Sequence, residues 1–148
     1  MTQPTSTPSP KVELRITHRF AASAERVFDA WLQPEMVRQW LFRTPTGECV
    51  RAEIDARVGG RYSIVERRDG QDVEHVGTYL EVQRPRRLVF TLAVPLYSAD
   101  SDTIHVDITP LDTGCELTLT HATDPQWAEG GRKGWETLLG GLAAALGA

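Results

Sequence analysis

The chain has 148 residues, 41% of them apolar and 24% charged, the balance of one soluble globular domain. A domain of that size buries about two thirds of the surface its unfolded chain exposes, so it needs no covalent staple, and Cys49 and Cys115 form neither a zinc spacing nor a Cys-x-x-Cys pair. A net charge of −4 excludes the basic footprint of a nucleic-acid binder, no apolar run approaches the ~18 residues of a membrane span, and no secretory leader is visible at the start, so a cytoplasmic location is expected.

Residues 1–10 read MTQPTSTPSP, with three prolines and no charge. So few apolar groups cannot offset the entropy of ordering, and the segment is read as a disordered tail before a single domain over 11–148. Val12, Leu14, Ile16, His18 and Phe20 then alternate with Glu13, Arg15, Thr17 and Arg19, the period of a strand with one wet face. Ser23 is a good N-cap, Glu25 sits in the first turn, and Val27, Phe28, Trp31 and Leu32 follow at helical spacing. Pro34 opens a second short helix over 35–40.

After a turn at Pro45-Thr46-Gly47, the residues Val50, Ala52, Ile54, Ala56 and Val58 alternate with charged neighbours. Gly59-Gly60 ends that strand in a bulge or tight corner, and the next strand covers 61–68. Asp69-Gly70 marks a two-residue hairpin whose central positions both need positive φ, and the return strand covers 73–82. Beyond Pro85, Leu88, Phe90, Leu92 and Val94 alternate again. A polar loop over 97–102 leads to Ile104, Val106 and Ile108, interleaved with His105, Asp107 and Thr109. Asp112-Thr113-Gly114 reads as a three-residue hairpin loop before a last strand over 116–121. Asp124-Pro125 caps and opens a long helix with Trp135, Leu138, Leu139, Leu142 and Leu146 on one stripe. Gly130 and Gly131 are expected before the helix proper. Gly140 and Gly141, inside it, are expected to mark close packing against the sheet, or alternatively a thinned helix with room beneath.

The faces of two strands are mixed. Tyr62 and Ile64 share a face with Glu66 while Val65 opposes them; Val76, Leu80 and Val82 share one with Thr78 while Tyr79 opposes them. Apolar residues on both sides suggest that part of the outer sheet is covered, with a second copy of the chain, a homodimer, as the candidate. The whole order gives an α+β fold, a curved antiparallel sheet of about 6–7 strands around one C-terminal helix. A helix about 10–12 Å across cannot fill the concave side of such a sheet, so a cavity is expected there, closed at one end by the short helices.

Several stretches carry a resemblance. They are Phe20 to Trp31 (FAASAERVFDAW), Val58-Gly59-Gly60-Arg61-Tyr62, Gly77-Thr78-Tyr79-Leu80-Glu81-Val82, Pro85 to Thr91 (PRRLVFT), Leu117-Thr118-Leu119-Thr120-His121 and Gly134 to Leu139 (GWETLL). In this order and spacing the chain resembles the bacterial branch of the activator-of-Hsp90-ATPase-homologue (AHSA1-like) domains, within the START-like SRPBCC superfamily, over about residues 12–146. The resemblance implies the helix-grip fold and an apolar cavity between the C-terminal helix and the sheet. Relatives bind lipids, polyketides, hormones or antibiotics there, and some cyclise aromatic precursors. The founding eukaryotic relative stimulates Hsp90 through a separate N-terminal domain for which this chain has no room. The family's name also brings an association with the stress response.

Catalytic motifs are scarce. The sequence lacks a Gly-x-Ser-x-Gly elbow, a phosphate-binding glycine loop and a His-Glu-x-x-His pair. Asp100 and Asp102 share a loop without a third ligand, so no metal and no cofactor is expected. His105 falls on the wet face and His75 near a strand start. His18 and His121 are read first as buried, hydrogen-bonded structural residues and second as polar groups of a pocket. Phe28, Trp31, Trp40, Phe42, Tyr62, Tyr79, Phe90, Trp127 and Trp135 lie on elements that the fold brings together. The ligand-binding residues expected are Phe28, Trp31, Trp40, Tyr62, Ile64, Phe90, Leu92, Trp135, Leu138, Leu139 and Leu142, with the Tyr62 hydroxyl and the Trp40 and Trp135 indoles orienting the ligand. Arg38, Arg43, Arg61 and Glu66 are read as solvated surface, or else as charges at the mouth.

The leading expectation is therefore a non-catalytic binder of a small hydrophobic or aromatic molecule. A cyclase- or dehydratase-like enzyme is the alternative, and it needs at least two of His18, Tyr62 and His121 to converge. A co-chaperone-type module acting on Hsp90 is the third.

Overall fold

A computed structural model describes residues 11–44 and 46–147. The N-terminal segment read as a tail lies outside the described residues, as do Pro45 of the expected turn and Ala148. The elements run β1 (Val12–Phe20), α1 (Ala24–Asp29), α2 (Pro34–Trp40), β2 (Glu48–Ile54), β3 (Arg61–Arg68), β4 (Gln71–Gln83), β5 (Arg87–Leu92), β6 (Asp102–Leu111), β7 (Gly114–Thr123) and α3 (Pro125–Leu146). The strands form one seven-stranded sheet in the order β1-β7-β6-β5-β4-β3-β2, with every neighbouring pair antiparallel.

The local signals act as expected at most boundaries. The Ser23 side chain accepts from the Arg26 N–H at 3.2 Å and starts α1. Asp124 does the same for Gln126 at 3.0 Å and starts α3. Asp69 and Gly70 both take positive φ, 49° and 80°, between β3 and β4.

Elsewhere the structure departs from the sequence reading. β2 stops at Ile54, so Ala56 and Val58 are not in the strand, and Val58 is exposed. The chain there folds back on itself: the Asp55 N–H donates to Arg61 O and the Gly60 N–H to Arg57 O. A Cβ on Gly60 would lie 2.1 Å from Asp55 O, so that corner requires glycine. The β6–β7 turn has two residues rather than three, because Leu111 pairs directly with Gly114. Gly130 and Gly131 lie inside α3, since the Asp124 cap already starts the helix at Pro125. A Cβ on Gly140 would meet nothing within 4 Å, and one on Gly141 would meet Trp40 Cβ at 3.8 Å. These glycines therefore do not serve close packing on the sheet; Gly141 faces α2.

A bulge between Tyr79 and Glu81 changes the phase of β4. Leu80 is the extra residue and is exposed, while Val82 returns to the inner face opposite Leu88. The outer face keeps two buried valines, each covered within the one chain. Val65 lies between Arg51 and Glu74, which form an ion pair at 3.8 Å. Val89 lies between Glu81 and His105, and Arg87 bonds both of these and Asp107.

The core occupies the concave side. Ile64, Leu88, Phe90, Ile104, Val106, Leu117 and Leu119 come from the sheet, Trp135, Leu139 and Leu142 from α3, and Val27, Phe28, Val37 and Trp40 from the two short helices that close one end.

Candidate functional site

The concave side of the sheet is filled by its own aromatic side chains. Trp31, just past α1, stands at the centre: Trp40 meets it edge-on at 4.7 Å, Phe90 lies at 6.0 Å and Trp135 at 6.1 Å. Tyr62 adds edge contacts to Phe90 and packs on Tyr79 at 5.5 Å. What is left is a void of about 10 Å³ lined by Trp31, Leu41, Tyr62, Ile64, Tyr79, Leu88 and Phe90, the size of about one water molecule. The roomy cavity expected from helix width is therefore corrected. The width argument counted one rod against a sheet and omitted the indoles and phenols projecting from both layers.

Of the expected ligand-binding set, Trp31, Tyr62, Ile64 and Phe90 line the void. Phe28, Trp40, Trp135, Leu139 and Leu142 are buried in the surrounding core, and Leu92 and Leu138 are half-buried where they pack against that core. Leu41, Tyr79 and Leu88 join the lining without having been expected there; the alternation of Leu88 with Phe90 was the available signal. Trp127 leaves the aromatic group altogether and is exposed at the start of α3.

The polar tips are distributed differently from expectation. Trp40 Nε1 donates to Ala30 O at 2.9 Å, Trp135 Nε1 to His121 Nδ1 at 3.0 Å and the Tyr62 hydroxyl to Thr91 O at 2.7 Å. None of these three donors is free for a ligand. The unpartnered donor is Trp31 Nε1, a buried indole N–H with no hydrogen-bond partner among the described residues. Burial, reinforced by the neighbouring Tyr79, pushes the Tyr62 phenol well above its ordinary range, so it remains a donor.

The three candidate acid–base groups do not converge. His121 has both ring nitrogens engaged. Nε2 contacts Asp102 Oδ2 at 2.9 Å, and Nδ1 accepts from Trp135, which fixes the tautomer with the proton on Nε2. Burial raises the Asp102 carboxyl, but hydrogen bonds from His121 and Lys11 outweigh it and hold the group below the ordinary carboxylate range. His18 packs on Phe20 at 4.5 Å, half-buried, and its Nδ1 has no hydrogen-bond partner among the described residues. On β1 and β7, His18 pairs with Leu117 and His121 with Leu14, which separates them by about 13 Å along the strands. Tyr62, on β3, is divided from β7 by β4, β5 and β6.

Two buried residues escaped assignment in the sequence. His75, on β4 opposite Ile64, faces inward and is 5% exposed. Its ring stacks flat on Phe42 at 4.4 Å and 2°. Glu66, read as surface or mouth, is 1% exposed. Its Oε2 accepts from both the N–H and the hydroxyl of Thr44, and its Oε1 from Arg68. Burial pushes this carboxyl up, yet those bonds together hold it below its usual range. The phase of Glu66 with Tyr62 and Ile64 was the signal that it pointed inward.

Two larger hollows lie outside the core. One of about 270 Å³ runs between α2 and α3, lined by Gln39, Trp40, Arg43, Thr44, Thr137, Leu138 and Gly141. The other, about 630 Å³ and open, lies against β2, β3 and β4, with Glu53, Arg61, Ser63, Val76 and Thr78 among its lining residues. No helix among the described residues is long and apolar enough to cross a membrane.

The sequence profile of the family described as "Activator of Hsp90 ATPase homolog 1-like protein" matches residues 21–147. Among solved structures, protein CV1439 from Chromobacterium violaceum is 28% identical, with a TM-score of 0.82, covering 89% of this chain and 94% of its own. Protein NE0264 from Nitrosomonas europaea is 23% identical, with a TM-score of 0.80 and coverage of 91% and 94%. The AHSA1-like protein from Aeromonas hydrophila is 19% identical, with a TM-score of 0.81 and coverage of 91% and 92%. No curated protein matches the chain.

Proposed function

We propose, starting from the fact that the chain belongs to the Activator of Hsp90 ATPase homolog 1-like family, that its interior binds a small planar apolar molecule carrying one hydrogen-bond acceptor, without chemistry on it. The START-like fold supports the location, between α3 and the concave sheet. The observation that carries the reading is Trp31. Its indole N–H is buried without a partner among the described residues, and the same side chain lines the residual void. An unmade hydrogen bond of this kind costs about 1–3 kcal/mol, which an acceptor on a bound molecule recovers. Apolar burial at about 25 cal/mol per Å² supplies the rest of the affinity. Because the void is so small, binding requires side chains to move, and the apparent affinity is reduced by the fraction of molecules in the open form.

Thermal unfolding with matched planar compounds tests this reading. 2-Naphthol is expected to stabilise the protein more than naphthalene at equal saturation of the solution, and Trp31→Phe is expected to erase the difference. A ligand at one hundred times its Kd stabilises by about 2.7 kcal/mol, well within detection. No shift with any planar compound, or an unchanged preference in Trp31→Phe, contradicts the reading.

A further inference from the structure

We propose that Phe42 is a displaceable plug, and that the slot its ring fills, between His75, Tyr62 and Trp135, receives the planar ring of the ligand. The proposal rests on the interior-binding reading above and adds how the ligand gets in and what it lies against.

The backbone supplies the first reason. Leu41 is extended at φ −73° and ψ 126°, Phe42 takes φ 57°, and the Arg43 N–H reaches Trp40 O at 3.3 Å. This is a type II turn with phenylalanine at the position that ordinarily takes glycine. A bulky residue keeps a left-handed conformation only where its surroundings over-determine it, so the turn itself favours release of the ring.

The ring's contacts supply the second. Phe42 lies parallel to His75 at 4.4 Å, with Tyr62 at 6.5 Å and the edge of Trp135 at 6.0 Å. These are apolar and stacking contacts, which another planar ring reproduces. Phe42 makes them with 6% of its surface exposed, so the slot is dry. Tyr62 borders both the slot and the residual void.

The third reason is what holds the turn shut. Two residues after Phe42, Thr44 is tied to the buried Glu66 carboxylate through its N–H and its hydroxyl, the latter at 2.7 Å. On the outer side of the turn, the groove of about 270 Å³ between α2 and α3 is lined by Trp40, Arg43 and Thr44, which gives the displaced ring a place to lie. Opening therefore exchanges one ring for another and breaks one latch. That explains how a fold with almost no preformed void admits a ring-sized molecule.

Binding of 2-naphthol to the wild-type chain and to Thr44→Val, followed by calorimetry and stopped-flow, tests the latch. Thr44→Val removes the hydroxyl bond and leaves the slot intact, so the open fraction rises. The expected result is an apparent affinity about tenfold tighter (~1.4 kcal/mol) with faster association. If Phe42 is ordinary core, Thr44→Val leaves affinity and association unchanged or weakens both, which overturns the plug. A wild-type chain carrying 4-fluorophenylalanine at position 42 gives a second readout independent of the variant's folding. Saturating 2-naphthol is expected to shift its fluorine resonance away from its position in the free protein as the ring leaves the slot for the groove. A resonance that stays put while 2-naphthol binds overturns the plug and leaves interior binding standing. Absence of binding to either protein overturns both.

Discussion

Lowering the pH from about 6.5 to about 4 is expected to remove about 3 kcal/mol of folding stability through His75 alone. Burial pushes this imidazole down to about 4; the Arg68 guanidinium adds to that, while the Ile64 carbonyl and the Glu66 carboxylate oppose it. The unfolded chain takes up the proton near 6.5, the folded chain only near 4. Between those values the unfolded state binds more protons, so stability rises with pH, at up to about 1.4 kcal/mol per pH unit. Below that window both states are protonated and this residue contributes no further change. Glu66, Asp29 and Asp102, all held below the ordinary carboxylate range, act in a lower window. Their stability is present above about pH 4 and is lost as the pH falls through their folded values. Urea midpoints measured from pH 7.5 to 4 for wild type and His75→Phe separate the two. The variant keeps a ring against Phe42 and cannot titrate, so its profile is expected to be nearly flat above pH 4.5. An equally steep decline in both proteins contradicts this assignment.

The second large effect is expected at Gly77. A Cβ there would sit 1.8 Å from Thr91 O and 2.7 Å from Tyr62 Cε2. Neither neighbour can yield cheaply. Thr91 O accepts the Tyr62 hydroxyl, and Thr91 Oγ1 accepts the Thr78 N–H at 2.9 Å. Overpacking a well-ordered core costs about 1–3 kcal/mol, and a clash with backbone puts Gly77→Ala at about 3 kcal/mol or more. Gly140→Ala is the matching control. Nothing lies within 4 Å of its Cβ, and alanine gains about 0.5–1 kcal/mol over glycine inside a helix. Denaturant midpoints for the two variants should therefore move in opposite directions. Destabilisation by both, or by neither, contradicts the close contact at Gly77 and the open space at Gly140.

The architecture was readable because its signals are local. Alternation located the strands, Ser23 and Asp124 announced their helices, and Asp69-Gly70 set a hairpin by its positive φ alone. What escaped depends on neighbours distant in sequence. The bulge at Leu80 changes which face Val82 joins, and no residue in β4 announces it. Phe42 gives no sign of a left-handed turn, since glycine usually marks that position. Glu66 was in phase with Tyr62 and Ile64, but its burial makes sense only once Thr44 and Arg68 are beside it. The site was legible as a set of residues and not as a volume. Trp31, Tyr62, Ile64 and Phe90 do meet, yet whether large side chains surround a cavity or fill it depends on how their rings pack.

The four tryptophans make a direct test available. Trp40 and Trp135 have their indole N–H groups bonded within the protein, Trp127 is exposed, and that of Trp31 has no partner among the described residues. Nitrogen-15 spectra of the indole N–H resonances, recorded during titration with 2-naphthol, are expected to show the Trp31 resonance moving downfield and gaining protection from exchange as it finds an acceptor. Movement confined to Trp127, with Trp31 unchanged at saturation, places the compound on the surface and contradicts binding in the interior.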